Sequence, residues 1–82
     1  MMGIVMSTAF VLFKCQPQRE LEVYLALLEI KGVSETHVAY GEYDLVARID
    51  FEDEKEMAKI LIGNMRSISG VQKTETLIAV EA

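Results

Sequence analysis

Tyr40-Gly41-Glu42-Tyr43-Asp44 puts one glycine, two phenols and two carboxylates into a single short segment. That mixture suits a small polar ligand: Asp44 could accept from an ammonium group, Gly41 would let a ligand approach the backbone, and Tyr43 would wall an apolar side chain. The same residues also describe an ordinary glycine-bearing hairpin whose charges are solvated. A second pair, Thr74 and Thr76, is spaced by two, so on a strand both hydroxyls point one way and could hold a carboxylate or an amide. Threonine is equally a good strand residue with no ligand to hold.

Catalytic patterns are thinner. His37 and Glu35 could act as general acid and base, but no nucleophile or oxyanion motif accompanies them, and no Gly-x-Gly or Gly-Lys-Ser phosphate cradle occurs. Arg48, placed with Asp44 and Asp50, reads as an ion pair at a subunit contact rather than the partner of a catalytic base. Cys15 is the only cysteine and His37 the only histidine, so neither an internal disulfide nor a multi-cysteine metal cluster can form within one chain. Neither enzymatic activity nor a metal or cofactor is expected.

The elements that would position these residues follow from periodicity. Residues 6–14 are β-branched and aromatic, with apolar residues at both parities, which predicts a central strand covered on both faces. Pro17 fits the first turn of a helix whose inward stripe is Leu21, Tyr24, Leu25 and Leu28, running to about Ile30 and stopped by Gly32. Strands follow at 34–39 and 44–50, the latter alternating Leu45, Ala47 and Ile49 toward the helices against Asp44, Val46, Arg48 and Asp50. Asp53 and Glu56 form a capping box for a second helix with Met57, Ile60, Leu61 and Met65 inward, and Gly63 predicts close packing there. A last strand at 71–80 sets Thr74, Thr76, Ile78 and Val80 against Glu75, Leu77 and Ala79.

The chain also repeats itself. Gly32-Val33-Ser34-Glu35-Thr36 returns 38 residues later as Gly70-Val71-Gln72-Lys73-Thr74, each copy after a helix-like stretch and at the entry to a strand. Two such units predict an α+β, ferredoxin-like βαββαβ fold: a four-stranded antiparallel sheet with two helices on one face. The Gly41 to Asp44 turn has no counterpart in the second copy, and Thr76 is matched by Val38. These breaks in the repeat mark the candidate site.

That fold leaves one sheet face bare, lined by Val46, by Phe10 or Val11, and by Ile78 or Val80. A second subunit's sheet would cover it. Composition agrees, because 82 residues make one domain (1–82) that buries only about 60% of its unfolded surface, yet 51% of the residues are hydrophobic and the mean hydropathy is +0.24. A net charge of -5 with only eight scattered basic residues opposes direct binding to nucleic acid. The apolar start, Ile4 to Phe13, is too short to span a membrane and lacks the positive charge of a signal peptide, so a cytoplasmic location is the expectation.

In combination, Gly32-Val33 with Thr36, then Gly41-Glu42-Tyr43-Asp44-Leu45-Val46, then Ser69-Gly70-Val71 with Thr74-Glu75-Thr76, resemble the effector-binding (RAM) domain of the Lrp/AsnC family of amino-acid-responsive transcription regulators. The resemblance covers nearly the whole chain and implies dimers closed by facing sheets into an α/β barrel, with dimers assembling further, commonly into octamers. It implies a small amino acid bound between dimers by Gly41, Tyr43, Asp44, Thr74 and Thr76. No helix-turn-helix segment precedes the first strand, as in the family's stand-alone members. The expected function is therefore an amino-acid-sensing oligomeric module that modulates full-length relatives without contacting DNA. The alternatives are a small dimeric α/β-barrel enzyme of monooxygenase or isomerase type, and an ACT-like regulatory module.

Overall fold

The computed structural model describes residues 6–80. Its elements run β1 (Ser7–Cys15), α1 (Glu20–Leu28), β2 (Val33–Val38), β3 (Leu45–Phe51), α2 (Glu54–Ala58), a π-helical continuation (Lys59–Met65) and β4 (Val71–Ile78). The sheet order is β2-β3-β1-β4 with every neighbouring pair antiparallel, which is the ferredoxin-like βαββαβ arrangement.

Alternation decides which side chains meet the helices. Ala9, Val11 and Phe13 of β1 and Leu45, Ala47 and Ile49 of β3 are fully buried against Val23, Leu27, Ile60 and Met65. The opposite face carries Phe10 and Leu12, then Val46, and by the β1/β4 register Leu77. Phe10 is 38% exposed and Leu77 50%, so within one chain β1 is covered on one face. Ile78 pairs with the buried Ala9 and belongs to the helix side, which corrects the expected lining of the open face: Phe10 and Leu77 sit there, not Val11 and Ile78.

The repeat proves structural. Gly32 and Gly70 share φ +101, a left-handed conformation natural to glycine. Each lies against the helix of the other half: a Cβ on Gly32 would stand 2.7 Å from Ile60 Cδ1, and one on Gly70 3.1 Å from Val23 Cγ2. Their carbonyls accept equivalent bonds, from Asp50 N–H at 3.1 Å and from Gln16 N–H at 2.8 Å. Register shifts follow both glycines, between Val33 and Glu35 in β2 and where Lys73 and Val71 pair with Lys14 and Cys15, so Ser34 and Gln72 occupy matching bulges.

The helices depart from expectation in four ways. Pro17 and Gln18 form a turn closed by Arg19 N–H to Gln16 O at 3.0 Å, with Gln18 at φ +66, so α1 starts only at Glu20. Its buried residues are Val23 and Leu27, whereas Leu21, Leu25 and Leu28 are 68, 53 and 56% exposed. The helix is apolar on two sides, and periodicity alone picked the wrong one. The second helix is capped as predicted by Asp53, whose Oδ1 accepts from Glu56 N–H at 2.8 Å, while Glu56 Oε1 accepts from Glu52 N–H at 2.8 Å.

From Lys59 that helix widens to π geometry, exemplified by Arg66 N–H to Leu61 O at 3.0 Å. Bonding five residues apart brings Ile60 and Met65, themselves five apart, onto one buried face. Gly63 faces open space, with Lys59 Cγ the nearest atom to an added Cβ at 4.0 Å, so the close packing expected there is absent.

Candidate functional site

The hairpin turn between β2 and β3 closes through Ala39 N–H to Asp44 O at 2.9 Å and is pinned to β1 through Asp44 N–H to Phe13 O at 2.8 Å. Gly41 sits at its tip with φ +116 and no atom within 4 Å of the space a side chain would take. The backbone there is open to a ligand's approach. Asp44 has a structural task as well: its Oδ2 accepts from Cys15 N–H at 2.8 Å, extending the β1/β3 ladder past the Phe13–Leu45 pair. Its Oδ1 receives no hydrogen bond among the described residues. Cys15 stays a thiol, its pKa raised first by burial and then by the charges of Asp44 and Glu20.

Tyr43 reaches across the end of β1. Its hydroxyl donates to Glu75 Oε1 at 2.6 Å, and the Lys73 ammonium stands 6.0 Å from its ring centroid. The phenol is pushed up to about 12, chiefly by the bond to Glu75. It is therefore a neutral donor at physiological pH. Glu75 pairs with Leu12 on the open face, and Lys73 pairs with Lys14 beside it.

Thr74 and Thr76 pair with Phe13 and Val11, so they stand on the helix side of β4, as their spacing required. The five candidate residues thus divide. Gly41, Tyr43 and Asp44 share the turn, tied to β4 by the Tyr43–Glu75 bond, while the two threonines face the other side of the sheet. Neither of two surface clefts, one along Asp53 to Gly63 and one beside Gly32, includes any of the five. One chain supplies parts of a site rather than an enclosed pocket.

Sequence reasoning missed Glu75 and Lys73 as the partners of Tyr43. The only available signal was parity: both alternate with Thr74 and Thr76 on β4. It also missed how far the polar network at the other end of the open face extends. Thr8 Oγ1 donates to Asp50 Oδ1 at 2.8 Å, Arg48 Nη2 reaches the same oxygen at 3.2 Å, Arg48 Nη1 reaches Glu35 Oε2 at 3.3 Å, and His37 Nε2 lies 3.0 Å from Glu35 Oε1. Hydrogen bonding from Thr8 holds the Asp50 carboxyl below its ordinary range, and His37 does the same for Glu35. His37 is an exposed member of this network, paired with a carboxylate, and lines neither of these clefts.

Two helices on one face of a four-stranded antiparallel sheet, with the other face open and apolar, make this a ferredoxin-like α+β module. The chain belongs to the Lrp/AsnC ligand binding domain family, whose profile matches residues 8–82. It is 36% identical over 76 residues to an uncharacterised HTH-type transcriptional regulator of Pyrococcus furiosus, covering 89% of this chain and 51% of that protein. The chain spans about half the length of the curated relatives it matches. Among solved structures, TTHA0845 of Thermus thermophilus superposes with a TM-score of 0.88 at 36% identity, over 93% of this chain and 95% of that one. A transcriptional regulator of Neisseria meningitidis, solved as a complex with L-Met, shares the fold at 17% identity with a TM-score of 0.82, over 92% of this chain and 50% of that one. Among the described residues no helix is long and apolar enough to cross a membrane.

Proposed function

We propose that this chain is an amino-acid-responsive oligomeric module that modulates full-length relatives and does not itself contact DNA. The observation that carries the proposal is that a ligand-binding domain family matches residues 8–82, a span that takes in both helices and all but the first residue of the sheet. The Neisseria relative's complex with L-Met supports an amino acid as the ligand class. On this reading Asp44 Oδ1 takes the ligand's ammonium group, Gly41 admits its backbone, Tyr43 walls its side chain, and Thr74 and Thr76 of a neighbouring subunit hold its carboxylate. The placement of the threonines across the sheet from Tyr43 is why more than one subunit is needed.

Phe10, Leu12, Val46 and Leu77 supply the apolar centre for a sheet-to-sheet dimer that closes an α/β barrel, and further association of dimers completes the ligand site. The charge of -5 supports action through protein partners rather than nucleic acid, in the cytoplasm where such regulators work. No catalytic step is assigned: the Glu35 carboxylate is shared between His37 and Arg48. Titration calorimetry with each common amino acid at millimolar concentration tests the proposal. Saturable heat from a small set of them is expected, and silence from all, with no change in oligomer size, would refute it.

A further inference from the structure

We infer that the outward leucine stripe of α1 docks in the groove along the second helix of another copy of this chain, joining two molecules helix layer to helix layer. Leu21, Leu25 and Leu28 follow at four- and three-residue spacing on the side of α1 away from Val23 and Leu27, and each is more than half exposed. On the second helix Ile62 is 61% exposed. All four side chains belong to the helical layer, so the sheet-to-sheet dimer proposed above leaves them uncovered. Apolar surface that neither the core nor that dimer accounts for marks a further contact. The contact gives a surface to the further association of dimers, and in that respect it rests on the proposed function.

The second helix offers the matching hollow. Its groove runs over Ala58, Lys59, Ile62 and Gly63, and the nearest atom to a Cβ added at Gly63 is Lys59 Cγ at 4.0 Å. With short side chains at Ala58 and Gly63, the leucine ridge of a facing helix can enter beside Ile62. Charge chooses the pairing. Residues 20–30 hold three glutamates and no lysine or arginine, whereas residues 57–70 hold Lys59 and Arg66 and no acid. Glu29, Lys59 and Arg66 are exposed and make no ion pair among the described residues. The groove's own acids, Asp53 and Glu56, form the helix cap at its other end, with Lys55 beside them. Packing α1 on α1 would set glutamates against glutamates, and packing the two second helices together would set Lys59 and Arg66 against themselves. The crossed pairing opposes unlike charges. Because both helices lie on one face of the sheet, a two-fold axis between facing layers forms that pairing twice, and such a self-complementary patch closes on itself.

The test is sedimentation velocity of the full chain, with circular dichroism to confirm folding, on the parent and on Leu25→Glu, Ile62→Glu and Leu77→Lys. The parent should sediment as an assembly larger than a dimer, and each of the first two variants should reduce it to the sheet-to-sheet dimer. Mixing those two variants should restore larger species, because the stripe of one and the groove of the other are intact. Lys59→Glu with Arg66→Glu should weaken association at least tenfold with the apolar residues untouched, which keeps the test decisive if a hydrophobic exchange unfolds the chain. A parent no larger than a dimer, dissociated by Leu77→Lys alone, would overturn the helix contact and leave the sheet dimer standing. A parent split by Leu25→Glu and Ile62→Glu but not by Leu77→Lys would support the helix contact and remove the sheet dimer. Sensitivity to Leu25→Glu with Ile62→Glu silent, or no recovery on mixing, would overturn the crossed pairing.

Discussion

Tyr43 donates its hydroxyl to Glu75 at 2.6 Å, and this bond ties the turn between β2 and β3 to the edge strand β4, across the end of β1. Two segments far apart in sequence are joined at the place where the candidate ligand contacts lie. The bond stabilises the neutral phenol, so it favours the folded state until the phenol ionises. Its contribution is complete below the ordinary tyrosine range near about 10 and is lost as pH rises through about 12. Spectrophotometric titration should show one tyrosine ionising near 12 in the parent chain, and Glu75→Gln should return that group toward about 10. An unaltered titration in the variant would show that Glu75 is not the cause.

Thr8 and Asp50 make the converse prediction. The Asp50 carboxyl is held below its ordinary range, first by the Thr8 hydroxyl, so its contribution is present above the unfolded value near about 4 and fades as pH falls through the folded one. Thr8→Val removes the donor and keeps the shape. Urea denaturation should find the variant less stable by about 1 kcal/mol at neutral pH, with the difference shrinking under acid. A constant difference at all pH values would contradict the assignment.

The two repeat glycines and Gly63 should respond oppositely to alanine. Gly32→Ala places a Cβ 2.7 Å from Ile60 Cδ1 at φ +101, so a loss of more than about 1 kcal/mol is expected. Gly63→Ala meets nothing closer than 4.0 Å, and the helical preference of alanine should stabilise the chain by about 0.5–1 kcal/mol. Denaturant midpoints measured side by side give both signs.

Leu77→Lys examines the open face. Leu77 lies beside Phe10 at its apolar centre, and a charge there should dissociate the proposed dimer while leaving the helix-side core intact. Sedimentation velocity with circular dichroism should report a smaller, still folded species. A parent and variant of equal size would remove the sheet-to-sheet dimer from the account.

Much of this fold was legible in the sequence because local signals agreed with one another. The β3 alternation, the Asp53 cap, and the glycines after both helices each appear where patterning placed them. Legibility failed where two patterns tied. Helix α1 carries leucines on both sides, so Leu21, Leu25 and Leu28 competed with Val23 and Leu27 for the core. Leu77 and Ile78 are adjacent and both apolar, and the strand register that sends Leu77 to the open face depends on a bulge no pattern announces. The spacing of Ile60 and Met65 makes sense only once the helix is π-wound. At the candidate site, residue types named the turn, but Asp44's bond to Cys15 N–H and Tyr43's to Glu75 join residues 29 and 32 positions apart. Such partners are set by tertiary pairing and leave no local trace.

The central claim is that Asp44 anchors an amino acid, and the most direct measurement is titration calorimetry of the parent chain and of Asp44→Asn with the common amino acids. Asparagine keeps an oxygen for the Cys15 N–H and removes the charge, so the strand end should stay in place while the ammonium partner is lost. The account predicts saturable binding of at least one amino acid to the parent and a loss of at least tenfold in the folded variant. Equal affinity in both chains would contradict it.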